Sequence, residues 1–328
     1  MGNANAKTRI LMLIGPTAAG KSAVAIEASL RLGAEIISLD SMQVYRGMDI
    51  GTAKPSPAER ARVPHHLIDI RDPWESFSTA EYVRLADEAV TEITARGRLS
   101  LFVGGTALYA KSVLVGIFDG PSADWEFRED FRREAGKVGA EALHKRLAEL
   151  DPEAAARIHP NDLRRIERAL EIHSKTGRPA SALRTEWKAA QLRYDARLVG
   201  ILRPREELKK RIDARVDAMI AAGWLDEVRR LVADPRGLSR EASQALGYAE
   251  LAGVVRGEVQ LAAAVEEIKR RTRRFAKAQM TWFKTFPAVT WVDASDYGAT
   301  AEIVDRVVDL SGDLDDKTRT GSTHGGLR

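Results

Sequence analysis

The stretch "RILMLIGPTAAGKSAVAIEASL", Arg9 to Leu30, joins an apolar segment, a glycine-containing turn and an alanine-rich segment. The apolar segment has the length of a buried strand, and the alanine-rich segment favours a helix. Between them, Gly15 is followed after four residues by Gly20, Lys21 and a serine, which is the spacing of a phosphate-binding loop. The sequence therefore predicts a strand, a phosphate-binding loop and a helix in that order.

The predicted loop contains each kind of group that binds a phosphate. Glycines allow backbone N–H groups to surround an anion, and the start of the next helix adds positive potential. Lys21 would neutralise phosphate oxygens and the Ser22 hydroxyl would bind magnesium, so Mg²⁺ is the predicted cofactor. A glycine-rich turn without a ligand is the alternative interpretation. The predicted phosphate-binding residues are Gly15, Pro16, Thr17, Ala18, Ala19, Gly20, Lys21 and Ser22.

The second acid of a nucleotide hydrolase is missing from its usual position. Such enzymes have a later strand that ends in an Asp ligand for magnesium, but the strand predicted at "LSLFVGG", residues 99–105, ends without an acid. Instead, "LDSMQVYRGMDIGTAKPS", residues 39–56, has Asp40 where another apolar strand should surface. A tight turn is one interpretation, because Asp and Ser favour turns. A functional carboxylate beside the phosphate loop is the other.

Short apolar segments alternate with helical patterns, which predicts an α/β fold with a mostly parallel sheet covered by helices. Predicted strands include residues 9–14, 35–39, 66–70, 99–105, 197–203 and 290–292. Charged helical patterns dominate residues 122–195, which predicts an inserted all-helical lobe. The catalytic core would then comprise residues 8–121 and 196–311, and the polar, glycine-rich residues 312–328 are predicted to be a disordered tail.

Composition limits the classes of protein to be considered. The chain has 328 residues, of which 44% are hydrophobic and 30% charged, as in ordinary water-soluble proteins. No apolar run approaches the ~20 residues that span a bilayer, and the first residues lack the apolar core of a signal peptide. We therefore expect a cytoplasmic protein that does not bind membranes. The absence of cysteine excludes disulfides, thiol catalysis and cysteine-ligated zinc.

Positive charge is concentrated between Ile268 and Lys284, where seven Lys and Arg residues occur without an acid. This cluster predicts contact with a polyanion, although a solvated helix face is the alternative. Helical spacing predicts a packed, largely apolar stripe of Ile268, Thr272, Phe275, Gln279, Trp282 and Phe286. It also predicts an opposite basic face of Arg270, Arg273, Arg274, Lys277 and Lys284. The segment "RRIER", with Arg164, Arg165 and Arg168, is predicted to contact RNA as well.

Several motifs together resemble the tRNA dimethylallyltransferase (tRNA isopentenyltransferase) family of bacterial type, from about residue 10 to residue 292. They are "GPTAAGKS", "DSMQVYRGMDIGTAKP", "HHLIDI", "FVGGTALY", "NDLRRIERALEI", "LGYAEL" and "AKAQMTWFKTF". The resemblance implies transfer of a dimethylallyl group from dimethylallyl diphosphate to the N6 amine of the adenosine 3′-adjacent to the tRNA anticodon. Pyrophosphate would be the leaving group. The partners would be the tRNA anticodon stem-loop and dimethylallyl diphosphate, and we expect a monomer.

The resemblance also implies roles for individual residues. Asp40 would be the general base, Gly15 to Ser22 would bind the diphosphate, and at least one of Arg211 and Arg215 would reach it. The implied catalytic residues are Asp40, Thr106, Arg211 and Arg215. The implied or predicted tRNA-binding residues are Asp40, Ser41, Met42, Gln43, Thr106, Arg128, Arg164, Arg165, Arg168, Arg270, Arg274 and Lys277. Thr106 has an alternative role as a helix N-cap, and Arg128 could be a solvated helix charge.

The chain departs from the family pattern in two ways. Ala249 stands where many relatives have Lys or Arg, and the chain lacks the cysteines of the zinc finger found in eukaryotic relatives.

Three other functions are alternatives to transfer onto tRNA. A phosphate-loop kinase would need nucleotide turnover. An isopentenyltransferase of free adenine nucleotides, as in cytokinin synthesis, would not need the helical lobe or the basic clusters. A non-catalytic RNA-binding protein would not need Lys21 and Asp40.

Overall fold

A computed structural model describes residues 7–117, 121, 123–182 and 191–312. The described strands form one six-stranded parallel sheet in the order β3-β2-β4-β1-β5-β6. The strands are β1 (Arg9–Ile14), β2 (Ala34–Leu39), β3 (His65–His66), β4 (Leu99–Gly104), β5 (Asp195–Leu202) and β6 (Val289–Asp293). The predicted α/β fold with a mostly parallel sheet is therefore confirmed.

Helices connect these strands. They are α1 (Lys21–Leu32), α2 (Pro57–Arg62), α3 (Thr79–Ala95), α4 (Ala107–Val115), α5 (Trp125–Leu150), α6 (Pro152–Ala155), α7 (Leu163–Thr176), α8 (Arg205–Ala221), α9 (Trp224–Ala233), α10 (Tyr248–Val255), α11 (Leu261–Phe283) and α12 (Thr300–Gly312). In the described part of the chain, no helix is both long enough and apolar enough to cross a membrane.

The central strand β1 is buried on both faces, since residues 10–14 are all 0% exposed. Side chains alternate between the faces of a strand. Leu11 and Leu13 share a core cluster with α1 and α12, while α3 packs against β2 and β4. Because all strands are parallel, their carboxyl ends meet at one edge of the sheet. The phosphate loop, Asp40, Thr106 and Arg203 all follow strands at that edge.

The described chain divides into two compact units. One contains the sheet and comprises the described residues up to Leu114 and from Arg193 onward; the other is the helical insertion, Val115–Leu192. The insertion has its own core, in which residues of α5 pack against those of α7. Helix α5 changes direction at Gly139, whose φ of 80° interrupts the helical geometry. The sequence pattern predicts one helix before that glycine and a second helix after it.

Two local predictions are wrong. The strand predicted over residues 66–70 is only His65–His66, because Leu67 and Asp69 have φ angles of 61° and 56°, which no strand residue adopts. Gly312, the first residue of the predicted tail, is instead the last residue of α12. Residues 313–328 of that predicted tail lie outside the described residues.

Candidate active site

The phosphate loop between β1 and α1 leads into a helix whose first N–H groups have no side-chain cap. Gly15 and Gly20 have φ angles of 144° and 100°, and a Cβ atom on Gly15 would lie 2.7 Å from the carbonyl oxygen of Ile201. Ala18 adopts a positive φ of 63°. The first turn of α1 has no acidic residue and no side-chain cap. The N–H groups at the start of α1 are therefore available to a ligand, as in phosphate-binding loops.

The ammonium group of Lys21 is folded onto this loop. Its Nζ atom donates hydrogen bonds to the carbonyl oxygens of Gly15, at 2.9 Å, and Pro16, at 2.7 Å. Burial lowers the pKa of Lys21 to about 7; the nearby Arg215 contributes to the decrease and Asp40 opposes it. A bound phosphate would place negative charge beside this ammonium and so favour its protonated form.

Asp40 lies directly after β2 and closes a turn. Its Oδ1 atom accepts hydrogen bonds from the backbone N–H groups of Met42, at 2.8 Å, and Gln43, at 3.4 Å. Burial raises the pKa of Asp40, while these two N–H groups, Lys21 and Arg215 partly offset the increase. No hydrogen bond in the described residues uses Oδ2. One oxygen of Asp40 thus makes the turn, and the other remains able to accept a proton.

Thr106 connects the end of β4 to the Asp40 turn. Its backbone N–H donates to the carbonyl of Leu39 at 3.0 Å, and its hydroxyl oxygen accepts a hydrogen bond from the N–H of Ser41 at 3.2 Å. Thr106 does precede α4, and its carbonyl accepts from the N–H of Ala110. The hydroxyl of Thr106 therefore binds the Asp40 turn, while its backbone carbonyl accepts a hydrogen bond from the first turn of α4.

Three other residues that the resemblance implies to bind tRNA follow Asp40 in the same turn. Ser41, Met42 and Gln43 are all half-buried. The Gln43 side chain is held at both ends: Ser38 Oγ donates to its Oε1 at 3.0 Å, and its Nε2 donates to the carbonyls of Thr52 and Ala53 at 3.2 and 3.3 Å. Gln43 thus fixes the shape of this turn.

Three arginines approach the phosphate loop from β5 and α8. Arg211 Nε donates to the carbonyl of Ala18 at 2.9 Å, and Arg203 Nε donates to that of Ala19 at 2.9 Å. Arg215 is half-buried; burial lowers its pKa, and the charge of Asp40 opposes the decrease. Both arginines implied by the sequence therefore lie near the phosphate loop. Arg203 was missed, although a basic residue at the end of a predicted strand was a usable signal.

Gln279 on α11 is a second residue that the sequence interpretation did not assign to the site. It is only 7% exposed. Its Oε1 accepts a hydrogen bond from Thr17 N at 2.9 Å, and its Nε2 donates to the carbonyl of Gly105 at 2.9 Å. The side chain therefore joins the phosphate loop to the turn after β4. A polar residue within the predicted packed stripe of α11 was the only signal for it.

The packed stripe predicted for α11 is partly wrong. Phe275 and Trp282 are 44% and 43% exposed, because the packed face is displaced by one residue toward Ala276 and Phe283, both buried. The cations of α11 also differ from one another. Residues paired with acids are Lys269 with Asp217 and Glu266, Arg270 with Glu267, Arg271 with Glu250, and Arg273 with Asp213. Arg274 and Lys277 are exposed, and no acid pairs with either in the described residues.

The arginines of the insertion are divided in a similar way. Arg128 makes two hydrogen bonds of 2.8 Å to the carboxylate of Glu171, which is 0% exposed and also accepts from Arg168 at 2.5 Å. Arg164 and Arg165 are exposed, and Arg165 pairs with Asp162 at 3.3 Å. Arg128 and Arg168 thus organise the insertion, whereas Arg164 presents its charge to solvent.

The side chains near the loop fit a magnesium ion that takes most of its oxygen ligands from a bound phosphate compound and water. Ser22 is exposed at the start of α1, and no cluster of three His, Asp or Glu residues that could hold a metal occurs within the described residues. Mg²⁺ commonly has one or two protein ligands and takes the rest from substrate phosphates and water. The Ser22 hydroxyl beside a phosphate site matches that pattern.

The fold and site define a class: an α/β protein with a glycine-containing loop of P-loop spacing after its central strand and a recessed carboxylate at the same edge of its sheet. Two sequence comparisons narrow the class. A sequence model of the IPP transferase family matches residues 43–286. The tRNA dimethylallyltransferase of Symbiobacterium thermophilum is 50% identical over 305 residues, covering 93% of this chain and 95% of that protein. This chain belongs to the IPP transferase family, which confirms the resemblance found in the sequence.

Solved structures agree with this assignment. The full-length tRNA isopentenylpyrophosphate transferase of Bacillus halodurans matches with a TM-score of 0.71 at 41% identity, covering 96% of this chain and 99% of that one. A eukaryotic dimethylallyltransferase acting on tRNA matches with a TM-score of 0.79 at 26% identity, covering 94% of this chain and 80% of that one. The fold is thus shared across most of each chain.

Proposed function

We propose that this protein transfers the dimethylallyl group of dimethylallyl diphosphate to the N6 amine of the adenosine 3′-adjacent to the anticodon of tRNA, releasing pyrophosphate. The observation that carries the proposal is the arrangement of Lys21 and Asp40. One residue belongs to a phosphate loop, the other is a recessed carboxylate, and the charge of each shifts the pKa of the other. A site for a diphosphate leaving group thus lies next to a group that can accept a proton.

The leaving group would be held by the loop. The open N–H groups at the start of α1 and the ammonium of Lys21 would bind the diphosphate, with Arg211 and Arg215 adding positive charge. Mg²⁺, bound through Ser22, would neutralise charge on the departing pyrophosphate. Such fixed positive charge stabilises a leaving group as its C–O bond breaks.

Asp40 would act on the acceptor. The adenine N6 forms a bond to the allylic carbon while the bond from that carbon to the diphosphate oxygen breaks, and the amine must lose one proton. The free Oδ2 of Asp40 is the proposed proton acceptor, and its raised pKa makes it a better base than an ordinary carboxylate. The hydroxyl of Thr106 holds the turn that presents it.

The surface of α11 supports RNA as the acceptor. Arg274 and Lys277 are exposed beside Phe275 and Trp282, two aromatic residues seven positions apart on the same helix face. Unpaired RNA bases stack on aromatic side chains, and Lys and Arg contact the phosphates. Arg164 and Arg165 on the insertion provide exposed positive charge on the second unit.

The acceptor assay tests the proposal. Purified protein with Mg²⁺ and labelled dimethylallyl diphosphate should label a tRNA that has adenosine 3′ of the anticodon, and should label AMP, ADP or ATP negligibly, without consuming ATP. A tRNA with guanosine at that position is the matched control. Efficient labelling of free nucleotides would instead indicate a cytokinin-type enzyme, and ATP-dependent phosphorylation a kinase. Tight RNA binding without transfer would indicate a binding protein.

Two further parts of the proposal concern the state of the protein. We expect a monomer, which sedimentation of the purified protein with and without tRNA measures. We also expect it in the cytoplasm, which fractionation of the source cells measures.

A further inference from the structure

Glu227 on α9 is a buried carboxylate that binds the backbone of a loop and one tyrosine hydroxyl. It is 1% exposed. Its two oxygens accept hydrogen bonds from three consecutive backbone N–H groups, those of Asp49 at 2.8 Å, Ile50 at 2.8 Å and Gly51 at 3.2 Å. The hydroxyl of Tyr248 donates a fourth, at 2.7 Å. Within the described residues, no Lys, Arg or His pairs with Glu227.

The loop that Glu227 binds continues directly into the supports of the Asp40 turn. After Gly51, the carbonyls of Thr52 and Ala53 accept hydrogen bonds from the side-chain amide of Gln43. The backbone N–H of Gln43 in turn donates to Asp40. A short chain of contacts thus connects Glu227 with the carboxylate proposed as the base.

The loop is also fixed at two other points. The side chain of Lys54 is 2% exposed, and its Nζ contacts the carbonyl of Tyr45 at 2.7 Å and the carboxylates of Asp49 and Asp69 at 2.5 and 2.6 Å. A Cβ atom on Gly51 would lie 2.2 Å from Nε1 of Trp224, so the loop packs closely on α9. Neither contact orients the three N–H groups; only the carboxylate of Glu227 accepts from all of them.

We propose that Glu227 is a positioning residue for the adenine that accepts the dimethylallyl group. By holding the N–H groups of residues 49–51, it fixes the carbonyls of the next two residues. Those carbonyls orient Gln43, which shapes the pocket beside Asp40. This inference rests on the proposed function. Its site is distinct from the phosphate loop, so its effect falls on the acceptor. A carboxylate suits the position because both of its oxygens can accept hydrogen bonds from these donors, whereas a glutamine amide would turn its NH₂ group toward some of them.

The test compares Glu227→Gln with Glu35→Gln. Glu35 is also buried and is bound by Arg96 and His66, but it lies near the opposite end of β2, about 17 Å from Asp40 at ~3.3 Å per residue. Both variants lose hydrogen bonds to a buried carboxylate. Single-turnover transfer to an anticodon stem-loop is measured at varied stem-loop and varied dimethylallyl diphosphate concentrations, together with thermal unfolding.

Glu227→Gln should raise the half-saturating stem-loop concentration roughly tenfold, the effect of about one lost hydrogen bond in binding, and leave that for dimethylallyl diphosphate unchanged. Glu35→Gln should lower the unfolding temperature without either change. Equal behaviour of the two variants would overturn the inference. Failure of the wild-type protein to modify the stem-loop would instead refute the proposed function.

A double-mutant cycle tests the route through Gln43. If Glu227 acts by orienting that amide, then Glu227→Gln should add little to the loss caused by Gln43→Leu, whereas independent roles would give additive losses and refute the route. Should Glu227→Gln be too unstable to purify, Tyr248→Phe removes one donor from the same carboxylate. It should raise the half-saturating stem-loop concentration by about threefold, and no change would count against the inference.

Discussion

The side chain of Gln279 accepts a hydrogen bond of 2.9 Å from the backbone N–H of Thr17, a residue 262 positions earlier in the chain. The same amide donates to the carbonyl of Gly105. One buried side chain of α11 therefore holds the loop after β1 and the turn after β4 together. The same helix also carries the exposed Arg274 and Trp282, so it borders both the phosphate site and a surface proposed to contact RNA.

Replacing Gln279 by leucine should weaken use of the allylic diphosphate. The variant leaves the Thr17 N–H and the Gly105 carbonyl without partners, which should lower the free energy of unfolding by about 1–3 kcal/mol. The half-saturating concentration of dimethylallyl diphosphate should rise more than that of tRNA. Transfer kinetics and urea unfolding measure these effects, with the exposed Gln244→Leu as control. An unchanged response to the diphosphate would remove Gln279 from the site.

Asp40→Asn should abolish most of the chemistry and little of the RNA binding. Asparagine retains the oxygen that closes the turn but cannot accept the proton, so single-turnover transfer should fall by ~10²–10⁴. The tRNA affinity, measured separately, should stay close to that of the wild type. An unimpaired rate would show that another group accepts the proton.

The same substitution has a predictable effect on stability. Because burial raises the pKa of Asp40 in the folded state, its ionised form costs stability at pH values above its ordinary pKa. Asp40→Asn should therefore unfold at a higher temperature than the wild type at pH 7, and the difference should disappear as the pH falls below 3.8. Thermal unfolding between pH 3.5 and 8 measures this. A lower unfolding temperature at pH 7 would contradict the prediction.

Much of the fold could be predicted from local pattern. The apolar strands Arg9–Ile14 and Ala34–Leu39, the helix after the loop and the parallel arrangement all follow from signals within a few residues. The strand predicted after His66 failed because the positive φ angles of Leu67 and Asp69 follow from tertiary contacts: the carboxylate of Asp69 binds Lys54 and Arg60. Periodicity does not record such contacts.

The residues of the candidate site also divide into those that the sequence predicts and those that only the structure reveals. Lys21 could be found because the spacing of the loop motif specifies its chemistry, and Asp40 because of the family resemblance, whereas Gln279 and Glu227 act on segments distant in sequence. The charge pattern of α11 also could not separate the cations that pair with an acid from Arg274 and Lys277, for which no acid partner occurs in the described residues. Arg273 and Arg274 are adjacent and chemically identical, yet only Arg273 lies opposite an acid, Asp213 on α8. That distinction requires the packing of two helices.

Diphosphate binding should depend on pH through Lys21. In the ligand-free protein its pKa is about 7, and a bound anion would raise it, so binding above pH 7 should take up a proton. Affinity for dimethylallyl diphosphate should therefore fall between pH 7 and 9, by up to about tenfold per unit. Calorimetry in buffers of different ionisation heat counts the protons. Lys21→Ala should bind weakly and lose this uptake; equal uptake in both proteins would assign it to the ligand alone.

Ser22→Ala should change the magnesium requirement of the reaction. Loss of the hydroxyl ligand should raise the Mg²⁺ concentration needed for half-maximal transfer, and the tRNA affinity should be unaffected, because the proposed role of Ser22 is confined to the metal at the diphosphate. Metal titration of single-turnover transfer is the measurement, with the exposed Ser76→Ala as control. A wild-type magnesium response would show that Ser22 is not a ligand.

The cations of α11 should differ in their contribution to RNA binding. Arg274 and Lys277 are exposed, so each can release a counterion from a phosphate. Arg274→Gln or Lys277→Gln should therefore reduce the slope of log affinity against log salt by about 0.7–0.9. Arg273→Gln should leave the slope unchanged and lower the unfolding temperature, because its guanidinium already pairs with Asp213 at 2.6 Å.

Affinity for tRNA across several salt concentrations distinguishes these outcomes, and thermal unfolding of each variant provides the control for stability. Arg270, paired with Glu267, should behave as Arg273 does unless RNA displaces the acid, in which case its substitution would also flatten the slope. If neither Arg274 nor Lys277 alters the slope, this face of α11 is solvated and does not contact RNA. The exposed Trp282 gives an independent check, because a stacked base would quench its fluorescence when tRNA binds.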